Sequence, residues 1–241
     1  MFDLKGKRVL ITGSTQGIGL EIAKCLLAFG AEVFINGSNP EKAERALKSV
    51  PGATLALCDL SRPDAAEILH GVTGEIDILV SNASVQYRTP WDKIEDAELD
   101  RQIDINFKAA LRLIQKYAPG MCERGFGRII TVGSVQQEVP HKDMLIYAAM
   151  KSAQENMVRN LAKQLAPHGV TVNNVAPGVI ETPRNTEALA DKEYAKRVIE
   201  GIPVGYAGAP EDVSGLVLLL SSKEGRYITG ENIYVDGGMK L

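Results

Sequence analysis

Seven short runs of aliphatic and β-branched residues recur along the chain: RVLIT from Arg8, EVFIN from Glu32, TLALC from Thr54, IDILVS from Ile76, GRIITVGS from Gly127, VTVNNVA from Val170 and NIYVDG from Asn232. Several are apolar at nearly every position, the pattern of strands covered on both faces. Between them the apolar period becomes helical. GIGLEIAKCLLAFG places Ile18, Ile22, Leu26 and Phe29 on one stripe and stops at Gly30. SNPEKAERALKSV opens on a capping residue and carries Pro40 in its first turn. Longer helices are predicted from about Trp91 to Ala118 and from Tyr147 to Ala166. Strand-then-helix repetition implies parallel strands joined by right-handed crossovers. The expected fold is α/β: a doubly wound, mostly parallel seven-stranded sheet with helices on both faces, in one domain over residues 1–241. The stretch GVIETPRNTEALADKEYAKRVIEGI, after Pro177, breaks the rhythm. Long insertions at strand ends of such folds often act as lids, so a flexible substrate-side segment is expected over about residues 178–203.

Composition narrows the class without naming it. The 241 residues are 45% hydrophobic with a formal net charge of -3, so no global basic field suits nucleic acid. Apolar runs such as GLVLLL are far too short to span a bilayer. The N-terminal MFDLKGKRVLITG runs directly into a strand, which is not the pattern of a signal peptide. Cys25, Cys58 and Cys122 are odd in number and widely spaced, with no CxxC pair. That spacing argues against a disulfide framework or a metal site and for free thiols in a reducing compartment. The expectation is a cytoplasmic protein.

The first candidate chemistry lies in VLITGSTQGIG, where Gly13, Gly17 and Gly19 join the first strand to the first helix. Residues without a Cβ let the backbone approach a pyrophosphate, and the helix offers free N–H groups and a positive dipole end. The same glycines could simply make the turn; their place in the first βα unit favours a dinucleotide cradle that also includes Ser14, Gln16 and Ile18. CDLS puts Asp59 and Leu60 at the end of the third strand, and SNAS puts Asn82, Ala83 and Ser84 at the end of the fourth. Open sheets bind ligands at these carboxyl ends, although each residue could equally be a cap or turn residue.

Taken in order, TGxxxGxG, a strand-end Asn, a Ser, Tyr-x-x-x-Lys, and APG after the sixth strand resemble the short-chain dehydrogenase/reductase family. The likeness continues to ITGENIYVDGG near the C-terminus. The resemblance implies a nicotinamide-dependent enzyme interconverting a secondary alcohol and a ketone. Tyr147 would be the general acid/base. A free phenol titrates near 10, and Lys151 one turn along would favour the phenolate and hold the nicotinamide ribose. Ser134 would orient the substrate oxygen, and Asn106 would hold a water in a proton relay. Pro177, Gly178, Ile180 and Thr182 would close on the nicotinamide. Two departures stand out: Ser81 and Ser84 replace residues that are often Asn and Gly in the family, and Tyr206 stands where arginine is frequent.

Cofactor choice is expected just after the second strand, in FINGSNPEK. An acidic residue there would accept hydrogen bonds from the 2′-hydroxyl of NAD and repel a 2′-phosphate. Gly37 occupies that position, while Asn36, Ser38 and Asn39 could donate to a phosphate. NADP is therefore favoured, with NAD as the alternative. The residues expected around the substrate are Gln86, Arg88, Trp91, Gln136, Gln137, His141, Glu181, Arg184 and Asn185, a polar set suited to a sugar, polyol or hydroxy/keto acid. The alternatives are a 3-oxoacyl-[acyl-carrier-protein] reductase, with Arg124, Arg128 and His168 as basic candidates for carrier docking, and a non-catalytic nucleotide-binding regulator on the same fold. The family resemblance further implies a homo-oligomer, a tetramer or a dimer, packed through the two long helices around the fifth strand.

Overall fold

Each of the seven β-branched runs forms a strand in the computed structural model, which describes residues 2–186 and 190–241. The strands are β1 (Arg8–Ile11), β2 (Glu32–Gly37), β3 (Thr54–Leu57), β4 (Ile78–Ser81), β5 (Gly127–Val132), β6 (Val170–Pro177) and β7 (Asn232–Val235). They make one sheet in the order β3-β2-β1-β4-β5-β6-β7, and every pairing is parallel. The strand order reverses between β1 and β4, and there the chain leaves the sheet toward opposite edges. A crevice opens at such a point, at the carboxyl ends of the strands.

Side-chain alternation along the strands feeds two cores. On one face, Val9 and Ile11 of β1, Val33 of β2 and Val175 of β6 are buried against Ile22 and Leu26 of α1 (Gly17–Ala28), Ala46 of α2 (Pro40–Ser49), and Val213 and Val217 of α8 (Pro210–Ser221). On the other, Leu10, Leu79, Ile129 and Val172 meet Leu69 of α3 (Ala65–Thr73), Leu113 and Tyr117 of α5 (Ala109–Glu123), and Val158 and Ala162 of α6 (Leu145–Leu165). Fully burying such side chains is worth about 1.5–3 kcal/mol each, enough to hold a strand with no polar face. The short apolar GLVLLL run thus lies in α8, buried against α1.

The long helix expected from Trp91 is broken. Trp91–Lys93 forms one 3₁₀ turn, α4 covers Asp96–Ile103, and Asp104–Lys108 is a π-helical turn that leads into α5. A π turn inserts one residue and rotates the faces on either side of it, so a single helical period cannot describe the stretch. α5 also runs through Pro119 to Glu123, five residues beyond the expected end. After Pro177 the chain is more ordered than its rhythm suggests: Ile180 bridges Gly208, and α7 (Lys192–Glu200) is capped by Asp191. Residues 187–189 of that segment lie outside the described residues. No helix among the described residues is long and apolar enough to cross a membrane.

Candidate active site

The crevice between β1 and β4 is a cleft of about 840 Å³ running along the carboxyl ends of the strands. Its floor at one end is the glycine turn. Gly13 and Gly17 have φ of +61° and +57°, the left-handed region that glycine enters without strain. A Cβ on Gly13 would sit 2.7 Å from Ala83 Cα, and one on Gly19 would sit 2.5 Å from Asn82 Nδ2. The cradle is therefore shaped by absent side chains, and α1 points its N-terminus into it. This is the fit expected for a pyrophosphate. Gln16, Gly17, Ile18 and Gly19 line the cleft as expected, as do Asp59, Leu60, Asn82, Ala83 and Ser84.

Ser14 does not face the cleft. It is fully buried: its Oγ donates to Ile11 O (2.6 Å) and accepts from Asn36 N (2.9 Å), so it fastens β1 to β2. Thr15 takes its place on the wall. The amide of Asn36 is likewise committed, donating to Ala56 O (2.9 Å) and Cys58 O (3.1 Å), which leaves it no hydrogen to give a phosphate. Ser38 and Asn39 do line the cleft, and Asn39 Oδ1 caps α2 by accepting from Lys42 N at 2.9 Å. Two cations that the residues next to β2 did not suggest, Lys42 and Arg101, also line this end. A side chain at position 37 would meet Thr15 Cγ2 at 2.5 Å, so the acidic residue that would select NAD could enter only if the Thr15 side chain shifted. Asp59 is held below the usual carboxylate range, first by the Ser61 backbone N–H and then by the Ser61 hydroxyl and Arg101.

The candidate catalytic residues gather at the end of β5. Ser134 follows the strand in an extended conformation and caps a one-turn 3₁₀ helix; its Oγ accepts from Gln136 N at 3.2 Å. Tyr147, in the first turn of α6, faces the cleft. Lys151 lies behind it, 1% exposed, with Nζ 5.7 Å from the centre of the tyrosine ring. The ammonium donates to Val132 O (2.6 Å) and Gln154 Oε1 (3.3 Å). Asn106, in the π turn, is not on the wall: its Oδ1 accepts from Val85 N (2.9 Å) and its Nδ2 donates to Val85 O (2.8 Å). The asparagine side chain is a pin for the loop after β4, donating and accepting one hydrogen bond with the Val85 backbone.

Pro177, Gly178, Ile180 and Thr182 line the opposite side, and Thr182 packs onto Gly17. Beyond them Arg184 crosses the cleft, donating to Ser84 Oγ (3.0 Å) and Ser84 O (2.7 Å). The serine that departs from the family pattern thus receives an arginine. Gln86, Arg88, Gln136, His141 and Asn185 also line this end, and Gln136 Oε1 accepts from His141 N at 2.6 Å. Trp91, Gln137 and Glu181 do not: Trp91 is 77% exposed, and the Gln137 side chain turns away toward α6 and β7. Lys142, Tyr194 and Arg197 are additional wall residues, brought in by the loop before α6 and by α7. They carry no local motif, so only the tertiary fold reveals them.

A glycine-turned dinucleotide cradle beside a Ser–Tyr–Lys cluster on a parallel sheet defines a nicotinamide-dependent oxidoreductase acting on alcohol and carbonyl groups. The family model described as enoyl-(acyl carrier protein) reductase matches residues 13–240. The chain is 37% identical to the 3-oxoacyl-[acyl-carrier-protein] reductase FabG of Rickettsia prowazekii, over 100% of both chains. It is 33% identical to the gluconate 5-dehydrogenase of Gluconobacter oxydans, over 100% of this chain and 97% of that one. The crystal structure of a gluconate 5-dehydrogenase from Burkholderia cenocepacia, in complex with NADP and tartrate, superposes with a TM-score of 0.91 at 32% identity, covering 99% of this chain and 96% of the other. The chain belongs to the short-chain dehydrogenase/reductase family.

The electrostatics of the site centre on Lys151. Burial first, and then the Arg184 charge, lower its pKa from the ordinary 10.5 to about 7. Between those values the folded chain holds fewer protons on this side chain than the unfolded chain does, so its contribution to stability rises with pH across that window. In cofactor-free protein, raising the pH about two units from neutrality should make the native chain gain stability relative to Lys151→Met, measured by chemical denaturation. A difference that stays flat or moves the other way would show that the buried amine is compensated.

Proposed function

We propose that the protein is an NADP-dependent dehydrogenase/reductase of a small hydroxy/keto acid of the sugar-acid kind. One observation carries the choice. At the substrate end the wall holds Arg88, Lys142, Arg184 and Arg197, and among the described residues none of them pairs with a carboxylate and no acidic side chain lines that end. In a chain of net charge -3 such a concentration of cations is a local device, and low-dielectric walls focus its field on an anion. The sugar-acid enzymes among the relatives support the same reading.

The bound nicotinamide dinucleotide supplies or accepts the hydride. The chain's residues manage the oxygen and its proton. Because Ser134 Oγ already accepts from Gln136 N, its hydrogen is free to be donated to a carbonyl oxygen. Tyr147 gives the proton to that oxygen in reduction and takes it back in oxidation. Lys151, held on Val132 O, places its charge behind the phenol and favours the anionic form while it is protonated. Asn106 contributes through the Val85 peptide, whose loop carries Ser84 and Gln86. At the adenosine end Lys42, Ser38 and Asn39 receive the 2′-phosphate.

A second reading, 3-oxoacyl-[acyl-carrier-protein] reduction, is favoured by the 37% identity to the Rickettsia enzyme, and the same cations would suit an acidic carrier. In either case we place the protein in the cytoplasm as a homotetramer built through α5 and α6, and a monomer in light scattering would refute that assembly.

Three measurements test these assignments. With NADPH and NADH, Lys42→Ala should lower kcat/KM for NADPH about tenfold, equivalent to roughly 1.4 kcal/mol, and leave NADH nearly unchanged. Equal losses for both cofactors would sink the phosphate assignment. Arg184→Gln should raise KM for 5-keto-D-gluconate by about tenfold or more while changing kcat little, the behaviour of a lost binding contact. Neutral polyols turned over as well as the acid, or acetoacetyl thioesters far better than it, would overturn the sugar-acid reading.

A further inference from the structure

Gln137 follows the candidate catalytic serine by three residues, yet it lines no part of the cleft. Its amide is drawn into the protein. Nε2 donates to Glu155 Oε2 at 2.6 Å and reaches the Tyr234 hydroxyl at 3.4 Å. Oε1 accepts from Ser134 N and from Asn174 Nδ2, both at 3.4 Å. Asn174, fully buried, is itself fixed: its Nδ2 donates to Asn232 Oδ1 (2.7 Å) and its Oδ1 accepts from Thr131 Oγ1 (2.5 Å). One amide thereby ties the turn after β5 to β6, β7 and α6.

The frame around this amide leaves no slack. Gly133 has no room for a side chain, since a Cβ would sit 2.4 Å from Asn174 Nδ2 and 2.7 Å from Gln137 Oε1. Glu155 is nearly buried and is held from its other side by Arg159. It lies one turn beyond Lys151 on α6, and Lys151 is anchored to Val132 O on the same strand end. A single 3₁₀ turn has poor hydrogen-bond geometry of its own and is seldom stable without outside support. The bond to a carboxylate is of the stronger, charge-assisted kind. Two anchors one helical turn apart therefore register the end of β5 against α6: Lys151 at Val132, and Glu155, through Gln137, at Ser134.

We infer that Gln137 is a positioning residue, which with Glu155 holds the Ser134 turn so that the serine hydroxyl meets the same oxygen as Tyr147. The inference rests on the catalytic reading of Ser134, and it assigns no contact between Gln137 and substrate or cofactor. If Gln137 acts only through Ser134, its removal matters only while Ser134 is there to be aimed.

A double-mutant cycle of Ser134→Ala and Gln137→Met separates these cases, assayed with NADPH and both 5-keto-D-gluconate and an acetoacetyl thioester. Methionine keeps the volume and removes both polar ends. Gln137→Met alone should lower kcat about tenfold to a hundredfold, the usual cost of a slight misplacement, with KM for NADPH within about twofold. In the Ser134→Ala background the same change should cost less than about twofold. Glu155→Gln, which keeps an oxygen facing the amide, should recover most of the activity that Glu155→Leu loses. Amide hydrogen exchange, which needs no substrate, should show protection at Ser134 reduced about tenfold or more in Gln137→Met, with β5 itself unchanged. Equal losses in both serine backgrounds, unchanged kcat, or unchanged protection would each overturn the inference. A Ser134→Ala protein that turns over both substrates normally would instead remove the catalytic reading beneath it.

Discussion

The cleft exists because Asn82 lets β1 and β4 separate at their carboxyl ends without stranding their backbone. Its side-chain amide donates to Thr12 O (2.9 Å) and Gly13 O (3.0 Å), while the Thr12 hydroxyl accepts from the backbone of Asn82 (3.0 Å) and Ala83 (3.1 Å). Thr12 is fully buried, so each of these groups would otherwise pay a desolvation cost of about 1–3 kcal/mol. The arrangement also dictates which neighbours carry no side chain. Asn82 Nδ2 occupies the space a Cβ would need at Gly19, and Ala83 occupies that at Gly13. The glycine turn, the loop bearing Ser84 and the position of the cradle follow from that packing. Asn82 lies at the cleft wall, but its two amide hydrogens are already given to the fold.

The end of β5 is the second frame, and it places a charge where water cannot reach. An ammonium buried without a carboxylate is expensive, and Lys151 offsets the expense only with a backbone carbonyl and the Gln154 amide. A neighbouring carboxylate would have stabilised the ammonium but would also have cancelled the field it exerts on Tyr147. The absence of one among the described residues keeps that field available. Tyr147 and Lys151, one turn apart on α6, lie toward that strand end, and the loop from Ser134 to Met144 is held by Gln136 on His141 and by the 3₁₀ cap.

How much of this was legible in the sequence depended on what kind of constraint a residue obeyed. Strands buried on both faces announce themselves as unbroken apolar runs, so the sheet was legible almost in full. The helix from Trp91 was not, because the π turn at Asp104–Lys108 changes the period midway. At the site, residues constrained by backbone shape could be read directly: the glycines, and the Tyr–Lys pair one turn apart. Residues chosen for polarity alone could not. Ser14, Asn36, Asn106 and Gln137 stand beside the cleft in sequence, yet the first three spend their polar atoms on strand ends and loops, and Gln137 gives its amide to Glu155 of α6. A polar side chain near a parallel sheet's carboxyl edge has unpaired carbonyls competing with the ligand for it. Lys42, Lys142 and Arg197 were hard to assemble for the opposite reason, since each sits on a different element and only folding brings them to the cleft that the expected Arg88 also lines.

Those cations and Lys151 are parts of one electrostatic problem. Arg184 lowers the pKa of Lys151, so the residue proposed to receive an anionic substrate also works against a protonated Lys151. On the proposed reading, an acid seated against Arg184 would offset the guanidinium and relieve that opposition. The lysine would then be more fully protonated when such a substrate is present than when it is not. A neutral substrate provides no such relief. On this account the charge proposed to recognise the acid also acts on Lys151, so acid binding and the protonation of Lys151 would be linked through Arg184.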